Sequence, residues 1–192
     1  MSKKHFSFKD KAWREELTRA YSFRFTETPN FKECDDHIAN EVNENHKEGF
    51  DNISLLTKDT YKVGAQATLK CSFEGLGCAE IILVKKPEVC EGGIIRYGEC
   101  FEIVLWRGGI NVWRHFMTEE HECSWHNLTR FKVPISEGEI HELSVRTEDK
   151  YIYFSAAGIS GNVRVDDLFD EFYLGATVCE GIARLYDLTI ED

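Results

Sequence analysis

The stretch that decides the fold runs from Cys100 to Phe116 and reads CFEIVLWRGGINVWRHF. Apolar and polar residues alternate on both sides of Gly108 and Gly109, and a period of two is typical of a half-buried β-strand. A Gly-Gly pair accepts the positive φ angles that tight hairpin turns need. The stretch therefore predicts an antiparallel hairpin with Gly108 and Gly109 as its two-residue loop. In that register the pairs are Arg107–Ile110, Trp106–Asn111, Val104–Trp113 and Glu102–His115.

Successive side chains of a strand point to opposite faces of its sheet, so the hairpin divides its residues into two sets. The apolar set is expected to face the core and consists of Phe101, Ile103, Leu105, Ile110, Val112 and Phe116. The other set combines flat rings with hydrogen-bonding groups and consists of Glu102, Trp106, Asn111, Trp113 and His115. Aromatic faces beside carboxylate and amide groups suit the rings and hydroxyls of a sugar. We therefore predict a ligand-binding face here.

Short strand patterns separated by glycine-containing turns continue from Ile53 to the C terminus. Residues 67–73 alternate as a half-buried strand does, and residues 79–84 are continuously apolar, as in a central strand. Further patterns cover residues 131–135, 142–146, 151–154, 163–165, 172–175 and 182–190. Many short strands of this kind predict an all-β, antiparallel two-sheet sandwich. We expect one domain over residues 1–192, with an irregular or edge segment at 1–50 and the main sandwich at 51–192.

The composition narrows the choice of partners. The chain has 192 residues and a net charge of −11, from 34 acidic and 23 basic residues, which disfavours nucleic acids and anionic membranes. Neither an apolar leader nor a run of transmembrane length is visible. The seven cysteines are odd in number and lack the spacing of a disulfide framework. These features predict free thiols and a cytoplasmic location.

From about Asp51 onward, the order of features resembles the concanavalin A-like lectin/glucanase superfamily. The resemblance rests on four stretches: residues 67–73, the Phe101–Trp106 strand with its hairpin into Trp113, residues 141–145, and the closing residues 172–175 and 180–188. It covers about three-quarters of the chain and implies a jelly-roll sandwich. Such sandwiches serve as lectins, glycosidases, lyases and interaction modules, so the resemblance leaves the function open.

The resemblance does not extend to the catalytic motif of family-16 glucanases. Those enzymes carry Glu-x-Asp-x-x-Glu on one strand, a pattern that this chain lacks. Glu99 and Glu102 are three residues apart and fall on opposite faces. If the hairpin face is catalytic, Glu102 and His115 are the predicted acid/base pair. A glycosidase needs a second carboxyl group, for which the candidates are Glu80, Glu180 and Asp187.

Two parts of the sequence bear on metal binding. The resemblance implies that a structural calcium ion, held partly by a carboxylate on the last strand, could bind at Asp187; no cofactor is expected to be required. His115, His121, Cys123 and His126 are zinc-ligand types, but their spacing matches no common site. That segment is better interpreted as a polar, exposed loop.

Three functions remain open at this point. The first is recognition of a saccharide or glycoside on a concave sheet through stacked tryptophans and polar side chains. The second is a glycoside hydrolase or lyase that uses the same face. The third is a protein-interaction module, or a subunit of a sugar-processing complex, in which exposed aromatic residues meet a partner protein or a second copy of the chain.

Overall fold

The computed structural model describes residues 2–41 and 51–192, and almost all of their regular structure is β. One helical turn, α1 (Trp13–Glu16), and one 3₁₀ turn, Glu91–Gly93, interrupt the strands. The strands of the described residues are β1 (Lys3–Ser7), β2 (Leu17–Ser22), β3 (Lys32–Glu33), β4 (Ile38–Ala39), β5 (Asn52–Thr57), β6 (Tyr61–Lys62), β7 (Gln66–Glu74), β8 (Cys78–Val84), β9 (Glu88–Val89), β10 (Ile95–Tyr97), β11 (Cys100–Trp106), β12 (Gly109–Met117), β13 (Cys123–Lys132), β14 (His141–Glu148), β15 (Tyr151–Ala156), β16 (Ile159–Arg164), β17 (Glu171–Cys179) and β18 (Ile182–Glu191).

These strands form two sheets. The small sheet has the order β16-β15-β14-β7-β18-β4-β3, with β1 also paired to β18. The large sheet has the order β13-β12-β11-β8-β17-β5-β2-β10-β9, with β6 also paired to β17. The β2–β10 pair is parallel, and the other pairs are antiparallel. The predicted all-β, two-sheet sandwich is confirmed.

One apolar core lies between the sheets and takes alternate side chains from most of the long strands, whereas β13 contributes only the partly buried Phe131. On β8 the inward residues are Ala79, Ile81 and Leu83, and all three are fully buried. The intervening residues of β8 lie on the outer face of the large sheet, and they are buried as well. Burial on both faces explains why β8 carries apolar residues on both of them, with Glu80 as the exception on the outer face.

The N-terminal part of the chain is more regular than its sequence predicts. Strand β1 pairs with the last strand over five residues, and β2 lies inside the large sheet between β5 and β10. Phe6, Phe8, Trp13 and Leu17 are buried in the main core. The sequence does not show this regularity, because these apolar residues lie in or beside two short strands and one helical turn, each too brief to display its own period.

The β11–β12 hairpin forms as predicted, but its register differs from the prediction. Arg107 and Gly108 form the loop, and Trp106 pairs with Gly109, Val104 with Asn111, Glu102 with Trp113 and Cys100 with His115. Gly109 therefore belongs to β12, where it has a φ of +125°. The predicted register is therefore displaced by two residues along β12. A shift of two preserves the faces, whereas a shift of one would exchange them.

The core-facing set of the hairpin is buried except at its last member. Phe101, Ile103, Leu105, Ile110 and Val112 lie in the core, but Phe116 is 37% exposed, so its predicted core position is wrong. Arg114 closes the core at this end of β12. Its guanidinium lies 4.8 Å from the Phe101 ring centroid and 4.2 Å from that of Phe116. Arg114, which pairs with Asp167 at 2.9 Å, thus takes the last buried position on this face, and the Phe116 ring lies against it at the rim.

Two further properties of the described residues bear on the expectations above. All seven cysteines are free thiols, as predicted. Within residues 2–41 and 51–192, every helix is too short or too polar to cross a bilayer.

Candidate functional site

A pocket of about 220 Å³ opens on the outer face of the large sheet. Its walls come mainly from six neighbouring strands, β13, β12, β11, β8, β17 and β5. The lining residues are Arg24, Asn52, Leu76, Cys78, Glu80, Glu102, Val104, Trp106, Asn111, Trp113, Trp125, Arg130, Cys179 and Glu180. The volume lies just below the roughly 300–1,000 Å³ of drug-sized ligand sites, so the pocket suits a small ligand or one unit of a larger one.

Strand register explains why these side chains meet. Directly paired residues on adjacent strands point to the same face, and their side chains form rows across the sheet. One row contains Trp106, Cys78, Cys179 and Asn52, and the next contains Arg130, Asn111, Val104 and Glu80. Trp113 and Glu102 begin a third row. The pocket is therefore a property of the strand order.

Four of the five predicted ligand-binding residues line this pocket. Glu102 and Asn111 are buried at its floor, whereas the rings of Trp106 and Trp113 are partly exposed at its wall. His115 lies on the same face but does not reach the pocket surface. The predicted division of the hairpin into faces thus places these residues together, even though the predicted register was wrong.

His115 and Glu102 form a buried pair behind the pocket. The distance from His115 Nε2 to Glu102 Oε2 is 2.8 Å, and their side chains are 3% and 10% exposed. The sequence predicted that these two residues are directly opposite each other. In the structure they are not, because Glu102 is paired with Trp113 and His115 with Cys100. The contact is diagonal across the two strands. His115 thereby holds one oxygen of Glu102 in place at the pocket floor.

Glu80 carries a second carboxyl group into the same pocket, from the middle of β8. Its side chain is buried, and burial followed by the nearby charge of Glu102 raises its pKa well above the ordinary value. Cys78 Sγ lies 3.6 Å from Glu80 Oε1. Glu180 also lines the pocket, so two of the three candidate second carboxyl groups border the same pocket as Glu102. Asp187 does not, because β18 belongs to the small sheet.

Several pocket residues were not predicted. Asn52, Cys78 and Cys179 form part of the floor, and Trp125 and Arg130 contribute from β13. Arg24 stacks on Trp125 at 4.1 Å from the ring centroid. The alternation of Cys78 with Glu80 on β8 was a signal that both residues share the outer face of that strand. No local pattern, however, could show that β17 and β5 bring Cys179 and Asn52 beside them.

The pocket concentrates polar atoms that find no hydrogen-bond partner in the protein. Five buried side-chain atoms of the described residues are in this state, and four of them belong to the pocket lining. They are Asn52 Oδ1, Glu80 Oε2, Trp106 Nε1 and Asn111 Oδ1. A buried polar group without a partner costs about 1–3 kcal/mol, so such groups are rare in folded proteins. Their concentration indicates a site that leaves hydrogen bonds for a ligand.

The surroundings of Asp187 fit calcium poorly. Asp187 Oδ1 lies 3.7 Å from His5 Nε2, and Lys70 is its direct partner on β7. Calcium prefers six to eight oxygen ligands, and two basic neighbours oppose a cation.

The possible zinc ligands of the sequence analysis are His115, His121, Cys123 and His126. Among the described residues, only His115 of these four lies in a cluster of potential metal ligands. His121 instead stacks on Phe23 and contacts Glu88.

Comparison with known proteins supports the fold and gives no closer relation. No family model and no curated protein matches the sequence. Among solved structures, carbohydrate-binding module CBM66 from Bacillus subtilis shares 12% identity at a TM-score of 0.62, covering 92% of this chain and 96% of that one. A Bacillus licheniformis β-glucanase shares 9% identity at a TM-score of 0.62, and the match covers 100% of this chain and 99% of that one. A Bacillus subtilis protein of unknown function with a galectin-like fold shares 10% identity at a TM-score of 0.62, and the match covers 98% of this chain and 94% of that one.

The fold of this chain is therefore the concanavalin A-like jelly roll. Both the coverage and the two-sheet architecture agree with the resemblance seen in the sequence. The TM-scores and coverages establish the fold, and identities near 10% do not transfer an activity.

Proposed function

We propose that this protein binds a small saccharide, or one terminal unit of a larger glycoside, in the outer-face pocket of the large sheet. The observation that carries the proposal is the set of four unpartnered polar atoms on residues that line one pocket. Three of them are oxygens and one is an indole N–H. Sugar hydroxyls both donate and accept hydrogen bonds, so a single ring with several hydroxyls matches this mixture.

The aromatic residues of the pocket support the same proposal. Trp106 and Trp113 pack against a small apolar cluster of Cys78, Val104 and Cys179, which fixes one side of each ring. Both indoles are partly exposed at the pocket wall, where a face or edge can contact a ligand. Pyranose rings offer apolar C–H surfaces to aromatic side chains and hydroxyl edges to Glu102 and Asn111. The two kinds of contact are available within one pocket.

A panel of mono- and oligosaccharides, titrated while intrinsic tryptophan fluorescence is recorded, tests the proposal. Three of the four tryptophans line the pocket, so occupancy is expected to change the signal. Trp113→Ala should weaken binding at least tenfold, because truncating an aromatic anchor of a binding site commonly costs more than about 1.4 kcal/mol.

The matched control is Phe116→Ala, which removes a ring from the same strand on the opposite face, outside the pocket. This variant should bind as the wild type does. Equal loss in both variants would indicate a general effect on β12. Silence of the folded wild type across the panel would contradict saccharide binding and favour the protein-interaction alternative.

Glycoside cleavage is a second candidate, favoured by one specific observation. Glu80 and Glu102 lie on adjacent strands and both line the pocket, so two carboxyl groups face one ligand. Most glycosidases use such a pair. Product analysis of any bound glycoside distinguishes the candidates, since a binding protein releases its ligand unchanged. Turnover that survives in a folded Glu102→Gln variant would exclude Glu102 from the chemistry.

A further inference from the structure

Two cysteines and one glutamate meet at the floor of the pocket. Cys78 on β8 and Cys179 on β17 are direct partners across an antiparallel pair, and Glu80 follows two residues after Cys78 on the same face. The two sulfur atoms and one carboxylate oxygen all lie within 4.8 Å of one another. Neighbouring ligand atoms around a tetrahedral zinc ion are about 3.8 Å apart when the Zn–S bonds are about 2.3 Å, so only small side-chain movements separate this arrangement from a coordination shell.

We propose that Cys78, Glu80 and Cys179 bind a zinc-type divalent ion. Two thiolates and a carboxylate are ligands that such ions accept in proteins. The three donors come from one face of a sheet, which leaves a fourth coordination position on the pocket side. Sites with three protein ligands and one open position are the kind that contact an exchangeable water or ligand. The proposal does not depend on saccharide binding, because the protein supplies all three ligands.

The Glu80 carboxyl group supports the metal site independently of the distances between the three ligand atoms. Glu80 is 3% exposed, lines the pocket and has an Oε2 atom without a hydrogen-bond partner. A buried carboxylate is normally paired with a cation or donors. Within the described residues, no Lys or Arg forms an ion pair with Glu80, and its surroundings include the carboxylates of Glu102 and Glu180. A divalent cation would compensate this concentration of negative charge.

Asn52 supports the sulfur side of the proposed site. Its Nδ2 donates a hydrogen bond of 3.3 Å to Cys179 Sγ. Hydrogen bonds from outer residues to metal ligands orient the ligands and stabilise their charge. The amide is therefore placed to assist a thiolate at Cys179.

A competing cluster lies nearby and is less suitable. Cys100, Glu102 and His115 also place three potential ligand atoms within 4.8 Å. There, however, Glu102 and His115 already satisfy each other at 2.8 Å, and neither Cys100 nor His115 lines the pocket. A metal would have to break an existing pair at a site with no open approach. The Cys78 cluster lines the pocket, and the contact that a metal would replace there is the longer one from Cys78 Sγ to Glu80 Oε1, at 3.6 Å.

Titration of the metal-free protein with Co²⁺ tests the proposal. Cobalt(II) substitutes for zinc and gives a thiolate-to-metal charge-transfer absorption that reports sulfur ligands directly. We expect this band to saturate at about one equivalent of Co²⁺ and to disappear on addition of Zn²⁺, since zinc forms the more stable complex. Cys78→Ser and Cys179→Ser should each abolish or strongly reduce the band. Glu80→Gln should weaken cobalt affinity at least tenfold.

Two thiol variants serve as controls. Cys90→Ser removes a partly exposed thiol outside the pocket, and Cys100→Ser removes the thiol of the competing cluster. Both should retain the band. Should the Cys78 and Cys179 variants fail to fold, as judged by circular dichroism, the nearly isosteric Glu80→Gln variant decides the matter.

Three results would overturn the proposal. The first is absence of the band in folded wild-type protein. The second is loss of the band in Cys100→Ser with its retention in Cys78→Ser, which would assign the metal to the other cluster. The third is unchanged affinity in folded Glu80→Gln. Saccharide binding is titrated in a separate experiment, in the presence of a chelator. Failure of the saccharide proposal therefore leaves the metal proposal testable, and the reverse also holds.

Discussion

Glu80 occupies a buried position that gives only one of its carboxyl oxygens a partner. Burial is the main cause of its raised pKa, and the charge of Glu102 adds to it. The folded state therefore binds a proton at Glu80 more tightly than the unfolded state does. By linkage, stability falls as pH rises from the unfolded pKa through the folded one. At neutral pH, Glu80 destabilises the metal-free, ligand-free protein.

Replacement of Glu80 by glutamine should stabilise the metal-free protein at pH 7 by about 1–2 kcal/mol, because the amide carries no charge to bury. The gain should shrink as pH falls and vanish below about pH 4.5, where the carboxyl group is protonated in both states. Urea denaturation across this pH range, in the presence of a chelator, measures the effect. A destabilised variant at pH 7 would show that the carboxylate has a stabilising partner.

The residue scale also shows how much of the site was predictable. Glu102, Trp106, Asn111 and Trp113 were identified from the sequence and do line one pocket; their role in binding stays a prediction. They were accessible to prediction because all four lie on one hairpin, where alternation alone sorts the faces. Cys179 and Asn52 were not, because their own segments contain nothing that indicates which strand lies beside them.

At the scale of the element, the β11–β12 hairpin shows what a turn sequence leaves undecided. The run Arg107-Gly108-Gly109 permits a two-residue loop at either of two places. The structure selects Arg107-Gly108, and β13 supplies the reason. A Cβ atom on Gly109 would overlap the backbone oxygen of Phe131, so only glycine can occupy this position of β12. The third strand, which lies beyond the hairpin, thus fixes the register.

Gly109→Ala should therefore destabilise the protein by roughly 3 kcal/mol or more, since it combines a positive φ with a backbone clash. The control is Gly92→Ala, which also has a positive φ, of +71°, but has open space around the added methyl group. We expect that variant to lose about 1 kcal/mol. Thermal or urea denaturation of both variants provides the measurement. Equal losses would mean that φ strain alone determines the cost at Gly109.

At the scale of the whole molecule, the N-terminal strand joins the two ends of the chain. Residues Lys3 to Ser7 of β1 pair in register with residues Asp187 to Glu191 of β18. Phe6 and Phe8 insert into the core between the sheets. The sequence predicted an irregular or edge segment here, because five residues are too few to show a period. The stabilisation comes from a partner strand about 180 residues away.

Deletion of residues 1–8 should lower the free energy of unfolding by about 3–6 kcal/mol, because burial of each of the two phenylalanines contributes about 1.5–3 kcal/mol. The matched control is Lys3→Ala, which removes the exposed Lys3–Glu191 ion pair and leaves the strand intact. That change should cost at most about 0.5 kcal/mol. Differential scanning calorimetry of both proteins measures the difference. A truncated chain as stable as the full one would show that β1 contributes nothing to the core.

The sequence by itself determined the class of fold and the faces of its strands. Both depend on the period-two alternation and on glycine turns, which are local and survive an error of two residues in register. The tertiary structure alone decided the site. Cys78 and Cys179 are 101 residues apart in the chain and become direct neighbours only because β8 pairs with β17. That pairing is set by the packing of all strands around one core, so no single segment encodes it.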